Sequence, residues 1–317
     1  MPSLSECLEI LEGKVEPWPW LEEARRIREQ NFGLWVETCA IVNAKSGLCP
    51  SDCKFCAQSR FWSTKAKTYP LLSEEELLAK VALAAQSGID RFSFVTSGIS
   101  LSRKELRRLI KVIEKARSLY PQVELCASLG QLKEEALKAL KEAGLSRYHH
   151  NLETAAAFYS QICTKQDWKA RYETAYRVKK VGLSLCCGGI FGLGETSEHI
   201  LELAKTLQRL EPDSVPINFL HPIPGTPLEK ARYLTPMKCL RILIVFRLLL
   251  PKTAIRVCGG REYNLRDLQA LCLLPANALM VGHYLTTKGR NLSHDYQMIL
   301  DLGYRSHLRP DWPEFNK

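Results

Sequence analysis

At 317 residues, with 46% hydrophobic and 25% charged side chains, the chain can bury a large core, which excludes a disordered protein and suits one barrel or two smaller domains. The net charge of +10 is spread through helical stretches such as residues 103–117 and is not gathered into a basic tail, so a solvated surface is expected and nucleic acid is not an expected partner. The longest apolar run, 242–251, falls short of the roughly 20 residues of a membrane span and is interrupted by Arg247, so no membrane contact is expected. Residues 1–16 carry Glu6, Glu9 and Glu12 and lack both a signal-peptide core and an arginine-rich transit pattern, which points to the cytoplasm. With no export signal, the twelve cysteines suit metal ligation or buried thiols better than disulfides.

Along the chain, a short leader helix is followed by a Pro/Trp-rich turn at 17–20. Eight β-type runs then recur, at 38–44, 91–96, 123–128, 147–152, 183–190, 213–220, 253–258 and 277–281. Amphipathic stretches at 74–87, 103–118, 132–143, 168–181, 197–209 and 236–249 alternate with them. Eight strands alternating with helices predict an α/β fold, a TIM-like (β/α)8 barrel. One domain accommodates it, with a helical leader at 1–36, the barrel at 37–285 and a C-terminal helix and tail at 286–317.

Successive strand residues point to opposite faces, so the apolar set faces the helices and the remainder enters the lumen. Val123, Leu125 and Ala127 turn out, leaving Glu124, Cys126 and Ser128 inside. Leu183 and Leu185 leave Ser184 and Cys186 inside, with Cys187 outside unless Gly188 and Gly189 permit a bulge. By the same rule Arg256 and Cys258 point inward, as does Asn218, and His149, Asn151 and Glu153 share one face. Thiols, an arginine, amides and an acid are unusual in a lumen that a structural barrel fills with Val, Ile and Leu.

The strongest local signal is the segment 47–59, GLCPSDCKFCAQS, in which Cys49, Cys53 and Cys56 form C-x3-C-x2-C after the first strand. Three thiolates on one loop can each bind one iron of a [4Fe–4S] cube and leave the fourth iron open to a chelating molecule. Zinc would need a fourth Cys or His from elsewhere, and spacing alone leaves that open.

The triplet after the first barrel strand is the signature of the radical S-adenosylmethionine (SAM) superfamily. Beyond it, the chain from about residue 30 to 305 resembles the biotin synthase family, through YHHNLET at 148–154, GGIFGLGET at 188–196, SVPINFL at 214–220 and GTPL at 225–228. The resemblance implies a [4Fe–4S] cluster whose open iron holds SAM, reductive cleavage of SAM to a 5′-deoxyadenosyl radical, and sulfur insertion into dethiobiotin. It also implies that Glu153 binds the SAM ribose and Arg171 its carboxylate, with Phe55 near the adenine. Asn151 and Asn218 would hold the ureido group of dethiobiotin, as amides carrying both donor and acceptor can.

Typical members are expected to hold a second, [2Fe–2S] cluster on three lumen cysteines and an arginine. Cys126, Cys186 and Arg256 match that set; Ser93 stands where the third cysteine belongs, and an alkoxide is a poor substitute for thiolate toward iron. Cys258 shares a face with Arg256, so Cys126, Cys186 and Cys258 are read as ligands of a rebuilt four-iron auxiliary cluster, of the 4Fe–5S kind associated with a divergent branch, in preference to [2Fe–2S]. Cys187 is a further candidate ligand. His149 occupies a position the family usually gives to Asn. Cys7, Cys39, Cys163, Cys239 and Cys272 are read as structural thiols. A flavodoxin or ferredoxin electron donor and a homodimer are the macromolecular partners considered. The rival readings are another barrel enzyme of the superfamily, of the hydrogenase maturase or methylornithine synthase type, and a zinc-stabilised binding module.

Overall fold

The computed structural model describes residues 2–309, so the end of the C-terminal helix and tail expected at 286–317 lies outside the described residues. Among these, the strands are β1 (Glu37–Lys45), β2 (Arg91–Thr96), β3 (Glu124–Ser128), β4 (Arg147–His149), β5 (Ser184–Cys186), β6 (Gly189–Phe191), β7 (Ser214–Phe219), β8 (Ala254–Val257) and β9 (Ala278–Met280). The helices are α1 (Leu4–Glu12), α2 (Trp18–Phe32), α3 (Glu74–Gln86), α4 (Arg103–Leu119), α5 (Glu134–Glu142), α6 (Ala156–Ile162), α7 (Trp168–Lys180), α8 (Ser197–Leu210), α9 (Pro236–Leu249), α10 (Arg261–Leu265) and α11 (Leu292–Asp301). All strand pairings are parallel, in the order β5-β4-β3-β2-β1-β9-β8-β7-β6, and a β5–β7 pairing at Cys186 and Ser214 closes the sheet. β5 and β6 are two halves of one stave, interrupted at Cys187 and Gly188, so the structure is an eight-staved parallel barrel as the sequence pattern predicts.

The backbone around the interruption is closely approached by its neighbours. A Cβ on Gly188 would lie 2.1 Å from the carbonyl oxygen of Pro216, and one on Gly189 2.5 Å from that of Glu153. Only glycines admit this approach of backbone to backbone.

Levels within the barrel follow from the registers. In a TIM barrel the strand tilt raises each level by one residue from one stave to the next. Cys39 pairs with Arg91, one residue below Phe92; Phe92 pairs with Leu125, below Cys126; Cys126 pairs with Arg147, below Tyr148. Tyr148 pairs with Leu185, below Cys186; Cys186 pairs with Ser214, below Val215; Val215 pairs with Ile255, below Arg256. Arg256 pairs with Ala278, below Leu279, and Leu279 pairs with Thr38, which returns the path to Cys39. One level therefore holds Cys39, Cys126, Cys186 and Arg256 from alternate staves, with the fully buried Phe92, Tyr148, Val215 and Leu279 between them in the core outside.

The leader departs from expectation at 17–20. The Pro/Trp segment starts α2, with proline in its first turn, where the missing N–H is not needed. α1 and α2 cover α9, and Arg241 from α9 donates to the carbonyls of Ile10 (3.0 Å) and Val15 (2.7 Å). That cover explains why α9 is buried almost all round. The short helix α6 was not expected; at seven residues it offers little periodicity to read. No described helix is long and apolar enough to cross a membrane.

Candidate active site

A cavity of about 380 Å³ runs down the barrel from the loop after β1 to the middle of the lumen. At its mouth lie Cys49, Cys53 and Cys56. Gly47 and Leu48 start their loop with positive φ, 79° and 50°. The loop is then fixed by backbone bonds: Cys49 N to Gln58 O (2.9 Å), Cys56 N to Cys53 O (3.0 Å) and Lys54 N to the last carbonyl of α6, Ile162 (2.9 Å). Trp62 Nε1 donates to Cys53 O at 2.9 Å. The Cys53 sulfur lies 3.3 Å from Ser51 Oγ and 3.6 Å from the sulfur of Cys163.

Among the described residues no three His, Cys, Asp or Glu side chains stand close enough to grip a single metal ion. A four-iron cube differs, because it binds each thiolate through a different iron. Three thiols lining one cavity from a pinned loop fit that requirement.

Below the mouth, Glu153 has φ +70° and its backbone is clamped to the interrupted stave, with Ile190 N donating to Glu153 O at 2.8 Å. Arg171 of α7 is buried behind it. Its Nη2 lies 3.3 Å from Glu153 Oε1, Nε donates to Tyr159 OH at 2.9 Å, and Nη1 donates to Asn151 O at 3.0 Å. Asn151 Oδ1 accepts from Gly188 N (3.0 Å); Asn218 Oδ1 accepts from Gly259 N (3.2 Å) while its Nδ2 donates to Gly189 O (3.1 Å). Each amide keeps a free hydrogen or lone pair for a ligand. Phe55 is half-buried at the cavity wall.

The level mapped above forms the next tier. Cys39, Cys126, Cys186 and Arg256 all line the cavity, and Cys258 lies two residues beyond Arg256 on the same stave. Between them, Ser93 and His149 come from the staves of β2 and β4, and His149 Nδ1 is 3.4 Å from the Cys186 sulfur. Burial pushes the His149 pKa down to about 4, so the ring is neutral.

At the floor, Glu37 is shared by three guanidinium groups. Arg91 Nε donates to its Oε2 at 2.8 Å, Arg147 Nη1 lies 3.5 Å from Oε1, and Arg256 Nη2 contacts Oε1. Burial pushes the Glu37 carboxyl up, but Arg256, Arg91 and Arg147 outweigh it and hold the pKa at about 2. Burial also raises the thiols of Cys126 and Cys186 and takes Cys39 to about 12, with Arg256 opposing the rise in all three. Three cations against one carboxylate give this tier a positive field suited to thiolates or an anionic cluster.

Cys187 is not brought to the cavity. It is fully buried in the apolar core with Cys7, Cys239 and Cys272, because strand parity turns it toward the helices. Glu124 shares the parity of Cys126 but is exposed at the foot of β3, below the cavity. Cys39, expected to be structural, lines the lumen instead. Glu37, Arg91 and Arg147 were also missed, although the period-2 rule applied to β1, β2 and β4 would have turned each inward with Cys39, Ser93 and His149.

Comparison with known proteins identifies the family. The radical SAM superfamily matches residues 45–207, and the Biotin and Thiamin Synthesis associated domain matches residues 216–305. A biotin synthase of Geobacter sulfurreducens is 48% identical over 282 residues, covering 88% of this chain and 85% of its own. One from Aquifex aeolicus is 44% identical over 302 residues, covering 95% and 91%. Among solved structures, a methylornithine synthase superposes with TM-score 0.80 at 19% identity, covering 94% of this chain and 96% of its own. The FeFe-hydrogenase maturase of Carboxydothermus hydrogenoformans gives 0.82 at 19%, covering 96% and 75%. Those two likenesses establish the barrel, whereas the full-length identities decide the family. With the cysteine triplet at the mouth of a closed parallel barrel and thiols around an arginine beneath it, the chain belongs to the biotin synthase family of radical SAM enzymes.

Proposed function

We propose that this chain converts dethiobiotin to biotin inside the lumen, with SAM held at the mouth and the sulfur supplied from an auxiliary iron–sulfur cluster on the tier below. The observation that carries the reading is the stacking of two thiol sets in one cavity: Cys49, Cys53 and Cys56 above, and Cys126, Cys186 and Cys258 around Arg256 below. Loaded with its clusters and SAM, the site would supply a radical that removes hydrogen from an unactivated carbon and a sulfur to take its place. Between the two sets, Asn151 and Asn218 orient the ureido group, Glu153 takes the ribose hydroxyls and Phe55 faces the adenine. Arg171 acts on the SAM carboxylate from behind Glu153, its guanidinium already held by Tyr159 and Asn151.

A four-iron auxiliary cluster suits these residues better than a two-iron one, because Ser93 removes one thiol and Cys258 adds another. Three thiolates serve three irons, and the fourth iron needs a ligand from outside that trio. An extra sulfide, as in a 4Fe–5S cluster, is one such ligand. A flavodoxin or ferredoxin fits as electron donor to a surface of +10 net charge.

The test is anaerobic turnover of the iron- and sulfide-reconstituted protein with SAM, dethiobiotin and a reductant. Biotin, 5′-deoxyadenosine and methionine should all form. Deoxyadenosine without any biotin would refute the sulfur-insertion reading while retaining the superfamily chemistry.

A further inference from the structure

Two segments distant in the chain meet behind the cysteine triplet. Asp52 accepts from the backbone N–H groups of Thr164 and Lys165, both at 2.9 Å, which ties the triplet loop to the residues that follow α6. That tie brings Cys163 and Gln166 to Ser51. Ser51 is 1% exposed, and its hydroxyl oxygen lies 3.3 Å from the sulfur of Cys53 and 3.3 Å from that of Cys163. Gln166 Nε2 donates to the same oxygen at 2.7 Å. The backbone of Ser51 is held as well, since Ser59 Oγ donates to its carbonyl at 2.6 Å.

A serine hydroxyl has one hydrogen to give. Gln166 occupies a lone pair of the oxygen, so that hydrogen is free to point at a sulfur, and two sulfurs compete for it. Cys163 has a donor role of its own, toward Asp52 Oδ1 at 3.3 Å. As a thiol, Cys53 donates toward Cys163 at 3.6 Å. As an iron-bound thiolate it has no proton to give and becomes the charged acceptor, the stronger of the two.

We propose that Ser51, oriented by Gln166, donates its hydroxyl hydrogen to the Cys53 sulfur of the loaded upper cluster and raises that cluster's reduction potential. This rests on the triplet holding the SAM-binding cluster. The physical reason is charge. Reduction adds an electron to the cluster and its thiolates, so a hydrogen bond to one sulfur stabilises the reduced form more than the oxidised form. Burial strengthens the effect, because a hydrogen bond gains in a low dielectric, and the bond from Gln166 polarises the hydroxyl further. Ser51 is thus a positioning residue that acts through Cys53, and Gln166 acts through Ser51. The consequence is an upper cluster that a milder reductant can charge.

The test is a redox titration of the anaerobic, iron- and sulfide-loaded full chain, followed by electron paramagnetic resonance of the reduced clusters. The upper cluster is the one whose signal changes when SAM is added. At a fixed poise, Ser51→Ala should lower its ratio of reduced to oxidised form about tenfold, a shift of about 59 mV to lower potential for one electron. Ser51→Thr, which keeps the hydroxyl, should return to the wild-type value. Gln166→Leu should shift the potential in the same direction by less. Cys163→Ala removes only the competing sulfur and should not lower it. A wild-type potential in Ser51→Ala, or one in Ser51→Thr as low as that of Ser51→Ala, would overturn the proposal. So would an equal fall in Cys163→Ala, which would make the neighbouring thiol the donor. A wild type with no SAM-sensitive signal would instead overturn the assignment of the triplet cluster. Should Ser51→Ala not retain its iron, Gln166→Leu decides alone, and an unchanged potential there overturns the proposal.

Discussion

Arg256 contacts Glu37 through Nη2 at the floor of the barrel and leaves Nη1 buried without a hydrogen-bond partner beside three thiols. The pair thus fixes the guanidinium by one edge and presents the other to the lumen. Arg91 and Arg147 share the same carboxylate, so Glu37 is the hinge of the electrostatic floor on which the lower thiols stand.

The first prediction concerns Glu37 and pH. Its folded pKa of about 2 lies below the ordinary 4.5, so its stabilising effect is fully present above about pH 4.5 and is lost as pH falls through about 2. A shift of that size corresponds to about 3 kcal/mol. Glu37→Gln should therefore lower the unfolding free energy by about that amount at pH 7, with the gap to wild type closing toward pH 2. Urea titrations at a series of pH values measure it; a gap independent of pH would contradict the ion-pair account.

Each of Cys49→Ala, Cys53→Ala and Cys56→Ala should lower reductive cleavage of SAM at least about 100-fold, since each removes one of three protein ligands to the upper cluster. Deoxyadenosine is the product to quantify. Undiminished formation in any one variant would show that its thiol is not a ligand.

Replacing Cys126, Cys186 or Cys258 by Ala should have a different signature. SAM is still cleaved when dethiobiotin is present, but biotin does not form and deoxyadenosine accumulates out of proportion. Ser93→Ala should behave as wild type in iron content and biotin yield. Loss of both would make the serine a true ligand.

Gly189→Ala tests the clamp on Glu153. An added Cβ would lie 2.5 Å from the Glu153 carbonyl, so the Glu153 backbone must shift. SAM binding to the reconstituted protein, measured by calorimetry, should weaken at least about tenfold, equivalent to about 1.4 kcal/mol. Unchanged affinity in a folded variant would remove Glu153 from the SAM site.

Reduction by an acidic flavodoxin or ferredoxin should slow several-fold between about 50 mM and about 500 mM salt, because screening shortens the reach of the basic surface. The exposed Arg103, Lys104, Arg107, Arg108 and Lys111 of α4 contribute to that surface. Stopped-flow rates that ignore salt would exclude electrostatic steering.

What the sequence determined by itself was local. The alternation of eight β-type runs with amphipathic stretches fixed the barrel, and α9 occupies the expected 236–249. Strand parity, a period-2 property of the backbone, correctly turned Cys126, Cys186, Arg256 and Cys258 inward and Cys187 outward. Tertiary structure decided everything that depends on register between strands distant in the chain. Parity says that Cys39 and Arg256 each face the lumen, but only the tilt and shear of the closed sheet put them at one level with Cys126 and Cys186 while Cys258 stands above. Likewise, Arg171 lies on α7 with nothing local to mark it, and it becomes part of the site because α7 packs where its guanidinium meets Glu153 and Tyr159. Periodicity is written residue by residue; the meeting of Glu37 with Arg91, Arg147 and Arg256 exists only once the barrel has closed, because it joins four staves that no sequence spacing relates.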